Sequence, residues 1–179
     1  ENTIYVADFF FTTCPSICPI MTKNMYALQE KLVNFPQVKL LSFSVTPDID
    51  SVAQLKRYAL KNKVDDARWN LVTGSKKEIY ELARKSYLVV KDDGDGGPYD
   101  MIHTENFVLV DTQKRIRGYY DGTQASAMED ILEDIVGDIA EEQDAENEDI
   151  YPQEDGSYFV DGTATIRDIN KTLDWDLPL

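Results

Sequence analysis

Three side chains hold most of the chemistry this sequence offers: Cys14, Cys18 and His103. The cysteines sit in Cys14-Pro15-Ser16-Ile17-Cys18-Pro19, directly after an apolar run and at the expected start of a helix. Residues at i and i+4 project from one helical face, so both sulfurs reach one point. A helix N-terminus places partial positive charge beside a thiolate and lowers the thiol pKa. Such a pair suits oxidation to a disulfide or capture of a soft ion, and alone it leaves zinc, a disulfide and copper open. Two thiolates suit Cu(I), and one added imidazole makes a set that Cu(II) also accepts. The only imidazole in the chain is His103, in the segment before the apolar run Phe107–Val110.

The elements that must position these residues are legible from periodicity. Ile4-Tyr5-Val6-Ala7-Asp8-Phe9-Phe10-Phe11 is nearly continuous hydrophobe, as a strand covered on both faces requires. Thr12-Thr13-Cys14-Pro15 ends it, and Pro15 suits the first turn of a helix. Met21, Met25, Leu28 and Leu32 recur at helical spacing, which predicts a helix to about residue 33, stopped by Asn34-Phe35-Pro36. Val38–Val45 is the second strand. Ser51 caps a helix with Leu55, Tyr58 and Ala59 inward. Trp69–Gly74 is a short buried strand, and Ser75 opens a helix through Lys85. Residues 92–98 are a loop by composition. Phe107–Asp111 and Ile116–Tyr120 form a hairpin across Thr112–Lys114. The order βαβαβα followed by a hairpin predicts an α/β, thioredoxin-like three-layer sandwich. In that architecture the loop carrying His103 and the loop carrying the cysteines fall at the same sheet edge.

The chain has 179 residues, 42% hydrophobic, and a net charge of −15. Residues 1–125 carry 16 acids and 16 bases, whereas residues 126–179 carry 17 acids against Arg167 and Lys171. The whole imbalance lies in the last segment, which predicts a module boundary near residue 125 and a small acidic α+β appendage. Nucleic acid is excluded as a partner, because phosphate binding needs clustered Lys and Arg. No apolar run reaches the roughly 18–20 residues of a membrane helix. The opening directly on a strand reads as a truncated N-terminus.

Four separated motifs resemble the Sco/SenC copper-chaperone family over residues 4 to about 122. They are Phe9-Phe10-Phe11-Thr12-Thr13-Cys14-Pro15-Ser16-Ile17-Cys18-Pro19, Ser44-Val45-Thr46-Pro47-Asp48-Ile49-Asp50-Ser51, Trp69-Asn70-Leu71-Val72-Thr73-Gly74 with its following helix, and His103 before an apolar strand. The resemblance implies a thioredoxin fold and a membrane-anchored place on the envelope or periplasmic side. It also implies copper delivery to the Cu(A) centre of cytochrome c oxidase, with thiol–disulfide chemistry on that centre. The metal ligands are then Cys14, Cys18 and His103, Cys14 and Cys18 are the redox pair, and copper, as Cu(I) or Cu(II), is the bound ion. The partner is a copper-acceptor protein such as an oxidase subunit. Where the family has Asp-Pro this chain has Thr46-Pro47, so any role for a carboxylate falls to Asp48 or Asp50. Either could instead cap the next helix.

The tail has a different affinity. Met128 to Ile139 forms an apolar stripe on a helix of about three turns. Glu141–Asp149 is an acidic linker that lacks the glycine and alternation of a calcium loop. Ser157–Val160, Asp161-Gly162 and Thr163–Ile166 make a hairpin, and Thr165 to Asp168 fits a capping box for a last helix through Leu173. Residues 128–179 resemble part of the CorC/HlyC transporter-associated domain, which implies a cytoplasmic, non-catalytic regulatory module of a divalent-cation transporter. The two resemblances point to opposite sides of a membrane, as in a recombined chain joined near Thr123–Ala127. Met128–Ile139 has the stripe to serve as the closing helix of the first domain. The function expected is a redox-active copper metallochaperone more than an enzyme. Its alternatives are a metal-free thiol–disulfide oxidoreductase and the transporter module.

Overall fold

The computed structural model describes residues 3–90, 97, 100–145, 150–153, 157–160, 169 and 173, and of residues 138–145 and 150–152 the backbone alone. The chain forms two compact units, Glu1–Asp134 and Ile135–Leu179. The first contains β1 (Ile4–Phe10), α1 (Ile17–Lys31) with a closing 3-10 turn (Leu32–Asn34), β2 (Val38–Ser44), α2 (Val52–Lys61) and β3 (Trp69–Val72). Then come α3 (Lys76–Glu81), continued by a π-helical turn at Leu82–Ser86, β4 (Asn106–Val110), β5 (Ile116–Asp121) and the start of α4 (Ala127–Ala145).

The five strands lie in the order β3-β2-β1-β4-β5. Strands β1, β2 and β3 are mutually parallel, β4 runs antiparallel to β1, and β5 runs antiparallel to β4. This is the expected thioredoxin-like α/β arrangement. Its central strand β1 is buried along almost its whole length, which is why its sequence is nearly continuous hydrophobe. Side chains alternate across the sheet. Ala7 and Phe9 pack with Ile79, Tyr80 and Ala83 on one face. Phe10 packs with Cys14, Cys18 and Leu55 on the other. Ser51 and Ser75 start α2 and α3 by accepting the N–H groups of Gln54 and Glu78. At Gly122 an added Cβ would fall 2.7 Å from the Phe107 ring and 3.0 Å from the Glu105 carbonyl, so no larger residue fits.

The start of α4 lies against this unit. Ala127, Met128 and Ile131 are buried, Lys31 of α1 pairs with Glu129 at 2.7 Å, and the Tyr120 hydroxyl of β5 donates to Asp134. The second unit contains β6 (Ile150–Pro152) and β7 (Tyr158–Val160), paired antiparallel with Ile150 opposite Val160.

Two expectations require correction. Helix α1 begins at Ile17, with Ser16 as its N-cap, so Pro15 lies before the helix and the cysteines do not share a helical face. Helix α4 continues to Ala145, making residues 141–145 helical, not part of a loop, because Glu, Gln and Ala propagate a helix well. Strand β7 pairs with β6 upstream; the partner expected at 163–166, with its Asp161-Gly162 turn, lies outside the described residues. The capping box at Thr165–Asp168 and most of the loop at 92–98 also lie outside them. The two compact units meet at Asp134 and Ile135.

Candidate metal and redox centre

Cys14 is placed by a turn, not by a helix. Its N–H donates to the Phe11 carbonyl at 3.3 Å, folding the chain back immediately after β1. This sets the Cys14 sulfur over the N-terminus of α1, and Cys18 lies in the first turn of that helix. Both cysteines are unbridged and buried, 7% and 3% exposed. They share an apolar pocket with Phe10 and Leu55, rimmed by Phe11, Ile17, Tyr58 and Leu71.

The two thiols differ sharply. Burial pushes the Cys14 thiol up, but the backbone N–H groups of Cys18 and Ser16, the Cys18 thiol and the Ser16 hydroxyl outweigh it and hold Cys14 below the usual thiol range. The Ser16 hydroxyl lies 3.8 Å from that sulfur. Burial pushes Cys18 up to about 12, and the neighbouring Cys14 thiolate and Asp8 carboxylate push the same way. Cys14 is therefore the more readily ionised of the two thiols, and Cys18 holds its proton beside it.

Beneath the pocket is a carboxylate that spacing alone did not single out. Asp8 is 3% exposed, and among the described residues its Oδ1 is buried without a hydrogen-bond partner. Burial pushes its carboxyl up to about 7, against the Ser42 hydroxyl bonded to it, which lowers it. Ser42, its register neighbour on β2, also accepts the Trp69 indole N–H at 2.8 Å. The one available signal was an acidic residue inside an otherwise apolar central strand.

His103 is held at the rim. Its neighbours are anchored: Ile102 belongs to the core, and buried Thr104 accepts the Asn106 N–H at 3.2 Å. Asp100 makes a two-pronged pair with Arg84 at 2.7 and 2.8 Å. The Ile102 N–H reaches the Tyr80 hydroxyl at 3.4 Å. The His103 ring is exposed and stands edge-on to Phe11, ring centres 5.5 Å apart. It thus touches the residue whose carbonyl fixes Cys14. Among the described residues no three His, Cys, Asp or Glu side chains converge as a formed metal cage. The structure brings Cys14 and Cys18 together and leaves His103 one aromatic ring away.

Of the two flagged carboxylates, Asp50 is fully buried and bonded to the cysteine-bearing loop through Thr12. Asp48 is not in that contact set. The capping alternative fails for Asp50, because Ser51 caps α2.

The SCO1/SenC family model matches residues 1–139. The SCO1 protein homolog of Bacillus subtilis is 37% identical over 139 residues, covering 75% of this chain and 70% of that protein. A SCO1/SenC family lipoprotein from Bacillus anthracis superposes with a TM-score of 0.68 at 33% identity, covering 78% of this chain and 83% of that one. BsSco, a member of the Sco family of cytochrome c oxidase assembly proteins in which a disulfide switch was identified, superposes with a TM-score of 0.63 at 35% identity, covering 75% and 78%. A separate, short similarity, 44% over 64 residues, is to the UPF0053 inner membrane protein YfjD of Escherichia coli; it covers 35% of this chain and 15% of that protein.

Proposed function

Because the chain belongs to the SCO1/SenC family, we propose that it binds copper through Cys14, Cys18 and His103 and passes it to an acceptor protein during cytochrome c oxidase assembly. The observation that carries this reading is the pair of buried thiols at the N-terminus of α1, one held below and one above the usual thiol range. Two soft sulfur donors in an apolar pocket suit Cu(I), and an imidazole nitrogen added from His103 extends the set to Cu(II). The anchored flanks of His103 keep that imidazole near the pocket. The same pair works as a dithiol. Closing the Cys14–Cys18 bond releases two protons and two electrons, and the electrons reduce a disulfide on the acceptor. The lipoprotein relative supports a membrane-anchored place on the envelope side. No helix among the described residues is long and apolar enough to cross a membrane. The short similarity to a part of YfjD supports reading the tail as a separate module.

Copper titration under reducing and non-reducing conditions tests the reading. One ion per chain is expected, with Cys14→Ser and Cys18→Ser both abolishing tight binding. His103→Ala is expected to keep Cu(I) and lose Cu(II), and equal Cu(II) binding by that variant contradicts the ligand set. A metal-free thiol–disulfide oxidoreductase is the second reading, favoured by the low-lying Cys14 thiol beside a protonated Cys18, the arrangement a dithiol uses to attack a disulfide. Disulfide exchange with no copper binding in any state is its signature.

A further inference from the structure

We propose that Asp50 is a positioning residue for Cys14, acting through Thr12. The proposal rests on the reading of Cys14 and Cys18 as the working pair. Asp50 is fully buried, and every hydrogen bond its carboxylate accepts in this loop cluster comes from a neutral donor. Its Oδ2 accepts the Thr12 N–H at 3.1 Å, the Ser44 hydroxyl at 2.7 Å and the Thr46 hydroxyl at 3.1 Å. Its Oδ1 accepts the Thr12 hydroxyl at 2.5 Å. The Asp50 N–H in turn donates to the Thr46 carbonyl at 2.8 Å.

One carboxylate thus joins the end of β2, the loop before α2 and the turn after β1. Its grip on Thr12 is double, taking both the backbone N–H and the side chain. Gln54 of α2 locks the same hydroxyl from another side, its Nε2 donating to Thr12 Oγ1 at 3.0 Å, and Arg57 holds Gln54 at 2.7 Å. Thr12 lies within the turn closed by the Cys14 N–H on the Phe11 carbonyl. Fixing Thr12 therefore fixes the turn that holds the Cys14 sulfur over the N–H groups of Ser16 and Cys18. A buried carboxylate is costly to keep, and full hydrogen bonding offsets that cost. A carboxylate serving only to brace α2 would not need both donors of a residue in the cysteine loop. Thr46, standing where an Asp-Pro pair has its acid, supplies one of the four donors.

The test separates a brace from a positioning residue by removing one hydrogen bond at a time. Thr12→Val removes the hydroxyl link to Asp50 and Gln54, whereas Ser44→Ala removes an Asp50 bond on the β2 side. The thiol–disulfide equilibrium of the Cys14–Cys18 pair is read in glutathione buffers for the full chain and each variant, alongside thermal unfolding. Asp50→Ala and Thr12→Val are expected to shift that equilibrium by tenfold or more, which is about 30 mV for a two-electron couple. Ser44→Ala is expected to lower the unfolding temperature and leave the equilibrium within twofold. Asp50→Asn is expected to recover most of the wild-type value, since its oxygen can accept at the Oδ2 position and its amide can donate to the Thr12 hydroxyl. If Thr12→Val and Ser44→Ala destabilise the chain alike and neither moves the equilibrium, Asp50 is a brace and the proposal is overturned. Copper binding by the wild-type chain, measured in parallel, reports on the underlying reading; its failure leaves the disulfide equilibria to decide Asp50.

Discussion

Replacing Asp8 by asparagine should make the protein's stability less sensitive to pH, by an amount the structure fixes. The Asp8 carboxyl titrates near 3.8 in an unfolded chain and is raised to about 7 in the fold, chiefly by burial. Between those values the folded state holds a proton that the unfolded state has lost. Stability therefore falls as pH rises through that window, and levels off above about 7. From pH 5.5 to 8 the wild-type chain crosses roughly one and a half pKa units of the window, or about 2 kcal/mol at about 1.4 kcal/mol per unit. The Asp8→Asn chain carries no titrating group at that position, so the difference in stability between the two chains should move by about 2 kcal/mol in favour of the variant over that range. The fixed offset between them depends on how the new amide is accommodated, with about 1–3 kcal/mol lost if its N–H is left unpartnered. The pH-dependent part does not share that ambiguity, and making the comparison in a Cys14→Ser, Cys18→Ser background removes the coupling between Asp8 and Cys18. Urea unfolding under reductant at pH 5.5 and 8 measures it through the midpoint at constant slope. A gap that stays within about 0.5 kcal/mol across the two pH values would refute the assignment of a raised carboxyl to Asp8.

Other consequences are as direct. Ile131→Ala should cost about 2–5 kcal/mol, because Ile131 is fully buried on α4 and its removal leaves a cavity; denaturant titration checks this. A chain ending at Ala140 retains the whole family-matching region and the buried first turns of α4, so it should still unfold cooperatively and bind copper, whereas one ending at Thr123 should not fold; calorimetry distinguishes them. Cys14 and Cys18 should form a reversible disulfide that abolishes copper binding, seen by mass spectrometry after alkylation with and without reductant, and two freely alkylating thiols after mild oxidation would contradict it.

How much of this was legible beforehand follows from the range of the interactions involved. The unbroken apolar run of β1, the serine caps of α2 and α3, and the 3.6-residue spacing in α1 are local, and each of these elements formed, α1 starting later than expected. The cysteine pair was legible as a pair. Its geometry was not, because Ser16, not Pro15, opens the helix and the sulfurs meet through a turn closed on Phe11. The acidic run Glu141–Asp149 looked like a solvated linker by charge, yet Glu, Gln and Ala extend α4 through residue 145. Asp8 and Asp50 have roles written in long-range contacts, with Ser42 and the cysteine pocket for one and Thr12 for the other. No local pattern states which carboxylate a fold will bury. His103 was identified by being the sole imidazole, but its place against Phe11 required the packed loop.

X-ray absorption at the copper edge of the loaded, reduced chain tests the central claim most directly, since it counts donor atoms around the ion. The account predicts two sulfur donors together with imidazole scattering, the imidazole signal lost in His103→Ala and the two-sulfur shell lost in Cys14→Ser or Cys18→Ser. An ion surrounded by oxygen and nitrogen alone, or an imidazole signal that survives in His103→Ala, would contradict the assignment of Cys14, Cys18 and His103 as the copper site.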